Sequence, residues 1–177
     1  VFNEDLIIFL KINMFSVDYR IFKNPYVFIA CGFGLGAIRP APGTWGTLLA
    51  FPIHYGLVLV LSTQQLIGVW VVIFLMGIKL CELAGKSLGQ SDHSAVVIDE
   101  IVAFGLILAI IPSGLYWHAL AFIVFRLFDI FKPLGIDYLD KNLKGGFGVM
   151  LDDIAAGVYT LGVMQILVVF AAMLGME

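Results

Sequence analysis

Charged residues are scarce in this chain. Only 13% of its 177 residues are charged and 61% are hydrophobic, whereas soluble domains are about one quarter charged and about half apolar. The net charge is −3, and no basic stripe or interleaving of basic with aromatic residues occurs, which excludes a nucleic-acid partner. The composition is that of a membrane protein, and the length fits a single domain over residues 1–177.

Cysteine is also rare, and several common catalytic motifs are missing. Cys31 and Cys81 lie in apolar stretches without the spacing of a metal site, so we interpret them as packing residues and expect no disulfide framework. The chain has no Gly-x-Ser-x-Gly elbow, no His-Glu-x-x-His motif and no cysteine separated from an arginine by five residues. These absences argue against a serine hydrolase elbow, the common zinc-protease site and a cysteine phosphatase.

Long apolar stretches predict an all-α, polytopic membrane protein with five spans. They cover residues 45–61, 66–84, 95–111, 116–131 and 154–175, and crossing the hydrocarbon takes about 20 helical residues. The third and fourth stretches have shorter uninterrupted apolar runs. Either their charged ends lie below the membrane surface, or the two form a hairpin that other helices shelter. Residues 26–38 are apolar but contain three glycines, which predicts an interfacial or re-entrant segment after an N-terminal cytoplasmic or interfacial segment, residues 1–25.

The distribution of charge orients these spans. With five spans, all ten Lys and Arg residues fall on one side or in the helix halves nearest to it. The positive-inside rule makes that side cytoplasmic. Of the thirteen acidic residues, only Glu177 lies on the opposite side. We therefore expect a multi-pass protein of the cytoplasmic membrane whose functional residues face the cytoplasm.

Two adjacent acidic pairs interrupt the apolar sequence: Asp99-Glu100 and Asp152-Asp153. An ionised carboxylate beside hydrocarbon costs several kcal/mol unless it is paired or bound to metal. The alternative for Asp99 and Glu100 is a helix N-terminus that is acidic to complement the macrodipole. The alternative for Asp152 and Asp153 is N-capping, which a single Asp would satisfy. Together the pairs predict a divalent-cation site at the bilayer surface.

Arg126, Asp129 and Lys132 are spaced three residues apart, which places them on one helix face ahead of Pro133. An intrahelical ion pair between Arg126 and Asp129 is the plain structural interpretation. A ridge of two cations and a carboxylate is, however, suited to a phosphate and a metal together, because arginine grips phosphate with two hydrogen bonds and lysine acts as a point charge.

Two further segments are candidates for phosphate binding. The glycine-rich residues 145–148 predict a loop whose backbone N–H groups approach a ligand closely, with a plain interfacial loop as the alternative. Thr44 follows a Pro-Gly turn, so we expect it to be a helix N-cap first and a phosphate contact, with Arg39, second. His93 fits an ordinary loop residue, and His54 and His118, among apolar residues, are assigned no role.

A set of short sequence blocks occurs in order along the chain: GFGLG (residues 32–36), PGTWG (42–46), DH (92–93), DE (99–100), FRLFDIFKP (125–133), DKN (140–142), GGFGVMLDD (145–153) and Gly157. In these blocks the chain resembles the phosphatidylglycerophosphatase A family, over residues from about 26 to 160. Each block is weakly specific alone, but their order and spacing together are specific. The resemblance implies Mg²⁺-dependent removal of the terminal phosphate from phosphatidylglycerophosphate, an anionic phospholipid, in the bacterial inner membrane.

The resemblance and the residues together give a mechanistic hypothesis. One or two Mg²⁺ ions are held by Asp99, Glu100, Asp129, Asp152 and Asp153. Arg126 and Lys132 offset charge on the transferring phosphoryl group, and one carboxylate, such as Asp153, orients or deprotonates water, with an Asp nucleophile as the alternative. Arg39, Lys141 and Lys144 attract the lipid head group at about 1 kcal/mol each.

Two other function classes explain the carboxylates in the membrane segments less well. An ion-coupled transporter also keeps acids in its membrane segments, but transporters often show related halves and this sequence shows no internal repeat. A purely structural membrane subunit leaves both acidic pairs unexplained.

Overall fold

The computed structural model describes residue 17, residues 23–133 and residues 135–175, without the side chains of residues 139–141. Every regular element in these ranges is a helix, which confirms the predicted all-α class. Most of the predicted N-terminal segment 1–25, and Glu177, lie outside the described residues. In chain order the elements are α1 (Pro25–Ala30), a 3-10 turn (Leu35–Ala37), α2 (Pro42–Val58), α3 (Thr63–Leu88), α4 (Ile98–Ile110), α5 (Leu115–Phe131), α6 (Ile136–Asn142) and α7 (Gly145–Met173).

Helices α3 and α7 are candidate membrane-spanning helices. They contain 26 and 29 residues, or roughly 40 Å of helix each. Only 22% of the most apolar stretch of each helix is buried, so both present apolar side chains outward, among them Leu75 and Phe170. Helix α3 starts at a capping box, in which Ser62 and Gln65 bond each other's backbone N–H groups, and ends at Gly89 with a φ of 76°.

Five membrane spans are not confirmed. Each predicted stretch contains a helix, but α2 and α5 have 17 residues and α4 has 13, which is shorter than a span of about 20 residues. Ten residues of α4 are buried, because it packs against α2, α3, α5 and α7. Helix α4 is apolar on all of its faces because it is a central helix that its neighbours cover. Helix α5, in contrast, leaves Ile123 and Leu127 exposed.

Glycines bring α3 close to its neighbours. The indole of Trp70 lies over Gly105 of α4, and the carbonyl of Ile78 lies against Gly146 of α7, so closely that a Cβ at either glycine would overlap them. The prediction that residues 145–148 form a loop is wrong, since α7 begins at Gly145 rather than at residue 154. The close approach of the α3 and α7 backbones explains why glycine occupies the first turn of α7 despite its low helix propensity.

The start of α2 also differs from the prediction. The helix begins at Pro42, a favoured first position for proline, and its N-cap is Ala41 without a side-chain bond. Thr44 therefore lies inside the first turn and is not the N-cap.

Residues 26–38 form α1, tight turns and the 3-10 turn; their interfacial or re-entrant placement stays a prediction. Cys31 and Cys81 are both buried, and burial raises the pKa of the Cys31 thiol to about 12. A buried thiol that stays protonated fits the predicted packing role of Cys31, and burial fits that of Cys81.

Candidate active site

Three carboxylates from two helices converge at one end of the helix bundle. Asp99 and Glu100 lie in the first turn of α4, and Asp153 lies in the third turn of α7. One oxygen of each lies within 4.8 Å of the others. Neighbouring helical residues point about 100° apart, but at the helix start Asp99 turns back and accepts a hydrogen bond from the Glu100 N–H at 3.1 Å. Three of the five carboxylates that were predicted to hold metal therefore converge in the structure: Asp99, Glu100 and Asp153.

Arg126 and Asp129 border this carboxylate cluster (Asp99, Glu100 and Asp153) on the side of α5. The Arg126 guanidinium forms an ion pair with Asp129 and lies 3.9 Å from Glu100. The Asp129 carboxylate is close enough to repel Glu100 and Asp153 electrostatically. The intrahelical ion pair thus exists, and the same guanidinium also reaches the acidic group of another helix.

Lys132 does not extend the predicted ridge. It is the C-cap of α5, with a left-handed φ of 44°, and its ammonium group forms an ion pair with Asp152 of α7. Asp152 is buried but is not one of the three converging carboxylates, because it points about 100° away from Asp153 around α7. N-capping does not explain Asp152 and Asp153, since α7 begins several residues earlier.

Two residues of α2 that sequence reasoning missed complete one wall of the site. The Thr47 hydroxyl donates to the Gly43 carbonyl at 2.8 Å and accepts from Arg126 at 3.4 Å. Gly43 lies against Glu100 and Arg126, and a Cβ there would overlap the Glu100 carboxylate. The signal was the Gly-x-x-x-Thr spacing, which places both residues on one face of α2.

The predicted head-group residues lie outside the cluster. Arg39 is exposed before α2, and Lys144 is exposed at the N-cap of α7; within the described ranges neither is bonded to the cluster. Thr44 is half-buried, and the Lys141 side chain lies outside the described residues. Lys144 borders an open groove of about 710 Å³ between α3 and α7. His93 accepts a hydrogen bond from the Ala95 N–H at 3.1 Å, as expected of an ordinary loop residue.

The site carries an excess of negative charge and unsatisfied oxygens. The carboxylate cluster, Asp129 and Asp152 supply five acids, against two cations, Arg126 and Lys132, which leaves three formal negative charges. In the described part of the chain, Glu100 Oε2 and Asp153 Oδ2 are buried without a hydrogen-bond partner. Because unpaired buried charge costs several kcal/mol, a cation is the natural complement. The all-oxygen donor set fits a hard divalent ion such as Mg²⁺.

Comparison with known proteins adds independent information. The family model for phosphatidylglycerophosphatase A matches residues 28–168. Phosphatidylglycerophosphatase A of Haemophilus influenzae is 41% identical over 149 residues, which cover 84% of this chain and 88% of that protein. Phosphatidylglycerophosphatase A of Escherichia coli K12 is 37% identical over 144 residues, covering 80% and 83% respectively.

A third relative has a different name. A Bacteroides thetaiotaomicron protein, provisionally named a phosphatidylinositol-3-phosphatase, is 42% identical over 141 residues, covering 76% of this chain and 87% of that protein. No solved structure matches the chain.

The helical fold, the carboxylate cluster beside Arg126 and these relatives define a phosphatase, an enzyme that hydrolyses a phosphate monoester. The chain belongs to the phosphatidylglycerophosphatase A family. The predicted resemblance is confirmed.

Proposed function

We propose that this protein is a Mg²⁺-dependent phosphatidylglycerophosphatase of the bacterial inner membrane. It would convert phosphatidylglycerophosphate and water to phosphatidylglycerol and inorganic phosphate. Two family relatives carry the name of this activity, and the observation that carries the proposal is the convergence of Asp99, Glu100 and Asp153 beside Arg126. A carboxylate cluster next to a guanidinium suits a cation and a phosphoryl group held side by side.

The metal is assigned to the carboxylate cluster. Asp99, Glu100 and Asp153 would hold Mg²⁺, and the free oxygens of Glu100 and Asp153 support this assignment. Bound there, the ion would supply Lewis acidity toward phosphoryl oxygens and water. Asp129 would keep Arg126 in place, and Asp152 would hold Lys132 near the site rather than bind the first ion. The three excess negative charges are compatible with either one or two bound ions.

The remaining chemistry belongs to the chain's own side chains. Arg126 would grip the phosphoryl oxygens with its fork of N–H donors, and Lys132 would add a second positive charge. Asp153 would orient or deprotonate the attacking water. Arg39, Thr44, Lys141 and Lys144 would attract or contact the lipid head group at the rim. An Asp nucleophile predicts a phosphoenzyme that acid quenching would trap, whereas direct attack by water predicts none.

The membrane arrangement is part of the proposal. Helices α3 and α7 would cross the bilayer. The shorter α2, α4 and α5 would complete five spans, with α4 sheltered among the others and the carboxylate cluster at the cytoplasmic surface. The acyl chains of the substrate would stay in the bilayer, so the site would open sideways. The ion-coupled transporter receives no support from the relatives, whose names are those of phosphatases.

A phosphate-release assay tests the proposal. Purified protein in detergent is given phosphatidylglycerophosphate or phosphatidylinositol 3-phosphate, with Mg²⁺ or with EDTA, and inorganic phosphate is measured. We expect Mg²⁺-dependent release from phosphatidylglycerophosphate that Asp153→Asn abolishes. Glu82→Gln, a partly exposed acid on α3, is the matched control and should retain activity. Release from the inositol lipid alone would overturn the proposed substrate, and no release from either lipid would overturn the activity.

A further inference from the structure

A second polar cluster joins α2 and α5 away from the carboxylates. It consists of two buried histidines, His54 and His118, and of Tyr55, which is 44% exposed. His118 lies eight residues before Arg126 in α5, and His54 lies seven residues after Thr47 in α2. At 1.5 Å per residue, these separations are about 10–12 Å along each helix. The histidine cluster is therefore remote from the proposed phosphatase chemistry, which leaves its polar groups without a function.

The two imidazoles are buried and close together. His54 is 4% exposed and His118 is 1% exposed. Their ring centroids are 5.7 Å apart and the rings are nearly perpendicular, at 87°. The Tyr55 hydroxyl lies 2.7 Å from His118 Nδ1. Among the described residues, His54 Nδ1 and His118 Nε2 are buried without a hydrogen-bond partner.

Unsatisfied nitrogens on two neighbouring imidazoles point to a ligand that they share. A buried polar atom without a partner is destabilising, so a ligand that contacts both nitrogens would remove two such costs at once. Two imidazoles on one tetrahedral ion, with metal–nitrogen distances of about 2 Å, have ring centroids roughly 5–6 Å apart. The observed centroid distance falls in this range.

Tyr55 completes the pattern of a metal-binding histidine. When His118 Nδ1 carries the proton and donates it to the Tyr55 oxygen, Nε2 presents a lone pair. A hydrogen bond from the second ring nitrogen to an oxygen is the usual way in which proteins orient a histidine ligand. His54 has its own free nitrogen, so the pair offers two neutral imidazole donors.

We propose that His54 and His118 bind a borderline divalent transition-metal ion of the Zn²⁺ class, with Tyr55 orienting His118 and water filling the remaining positions. Imidazole ligands suit such ions, whereas the all-oxygen carboxylate cluster suits Mg²⁺. The ion would tie α2 to α5. The other halves of these two helices carry Thr47 and Arg126, so the metal would brace the wall of the phosphatase site from a distance.

Calorimetry separates this site from the carboxylate cluster. Untagged full-length protein in detergent, saturated with Mg²⁺, is titrated with Zn²⁺. We expect one equivalent to bind, with affinity lowered by at least about tenfold in His54→Gln and in His118→Gln. The chain has three histidines, so His93→Gln is the matched control and should bind as the unaltered protein does. Equal binding by all three variants, or no binding above the Mg²⁺-saturated background, would overturn the proposal.

Two further measurements guard against a variant that fails to fold. Tyr55→Phe keeps both imidazoles and the ring packing, and it should weaken Zn²⁺ binding by removing the oxygen that orients His118. With Cu²⁺ as the probe, pulsed electron paramagnetic resonance should show two coupled imidazole nitrogens in the unaltered protein. A signal with no imidazole coupling would contradict the assignment whatever the enzyme's activity.

Discussion

The backbone of Gly43 packs directly against the carboxylate of Glu100. A Cβ at position 43 would overlap Glu100 Oε1 and lie 3.1 Å from both terminal nitrogens of Arg126. Because Gly43 is the second residue of α2, the first turn of that helix forms a wall that fixes how far Glu100 and Arg126 can move. An uncharged residue thus sets the position of two charged ones.

This contact makes Gly43→Ala a sharp test of the site. The added methyl group must displace Glu100 or Arg126, and a displacement of about 1 Å in a catalytic group costs about 100-fold in rate. We expect kcat/KM for phosphate release to fall by that order. Gly56→Ala, in the same helix, adds a methyl group where no atom lies within 4 Å, so it should retain activity. Equal activity of the two variants would show that Glu100 and Arg126 need no fixed position.

Metal binding distinguishes Asp153 from its neighbour Asp152. If Asp153 holds Mg²⁺, then Mg²⁺ raises the melting temperature of the unaltered protein, since a ligand that binds only the folded state stabilises it. Asp153→Asn should remove this increase and the activity together. Asp152→Asn should keep the Mg²⁺-dependent increase, because Asp152 pairs with Lys132 instead. A Mg²⁺ response lost in Asp152→Asn and kept in Asp153→Asn would reverse the assignment.

The fork of Arg126 is a separate requirement. Lysine keeps the charge but not the planar pair of donors, so Arg126→Lys should reduce kcat by about 100-fold, as loss of one preorganised donor does in other enzymes. A mild loss would favour a purely structural ion pair with Asp129.

Thr47 is expected to act through Arg126 rather than on the substrate. Its hydroxyl lies 3.4 Å from the guanidinium, so Thr47→Val should lower kcat while leaving the melting temperature nearly unchanged. Thr47→Ser keeps the hydroxyl and should restore most of the activity. If the serine variant is as impaired as the valine variant, the methyl group and its packing matter, and the hydroxyl does not position Arg126.

The sequence singled out the acids that the structure brings together. Asp99, Glu100 and Asp153 stood out because carboxylates are rare in so apolar a chain and are costly there unless paired or bound. Arg126 and Asp129 followed from helical spacing alone. Their meeting depends on tertiary packing, and the charge asymmetry predicted only that all of them lie on one side of the membrane, which stays a prediction.

Other features depend on contacts that no local pattern encodes. Gly43 and Thr47 carry no charge, and their role arises only where α2 meets α4 and α5. The pairing of Asp152 with Lys132 requires the left-handed C-cap of α5, which a lysine rarely adopts. The helical first turn of α7 arises because α3 lies against Gly146, and this packing outweighs the tendency of glycine toward loops.

The proposed orientation in the membrane is testable with single cysteines. Ser113 lies between α4 and α5, and Gln90 follows α3 at the end that carries Lys79, Glu82 and Lys86; both are exposed. The native Cys31 and Cys81 are buried, so they should give little background with a membrane-impermeant maleimide. We expect Ser113→Cys to be labelled from the periplasmic side of spheroplasts, and Gln90→Cys only after the membrane is permeabilised.

Labelling of both positions from one side would mean that α4 does not cross the bilayer. The length of α4 makes this outcome a real test of the arrangement. The helix has only 13 residues, or roughly 20 Å, whereas the hydrocarbon layer is about 30 Å thick. For α4 to cross, its ends must be reached by water or covered by the longer helices around it. Protection of Ser113→Cys in intact spheroplasts, with Gln90→Cys labelled, would reverse the orientation and place the carboxylate cluster on the periplasmic side.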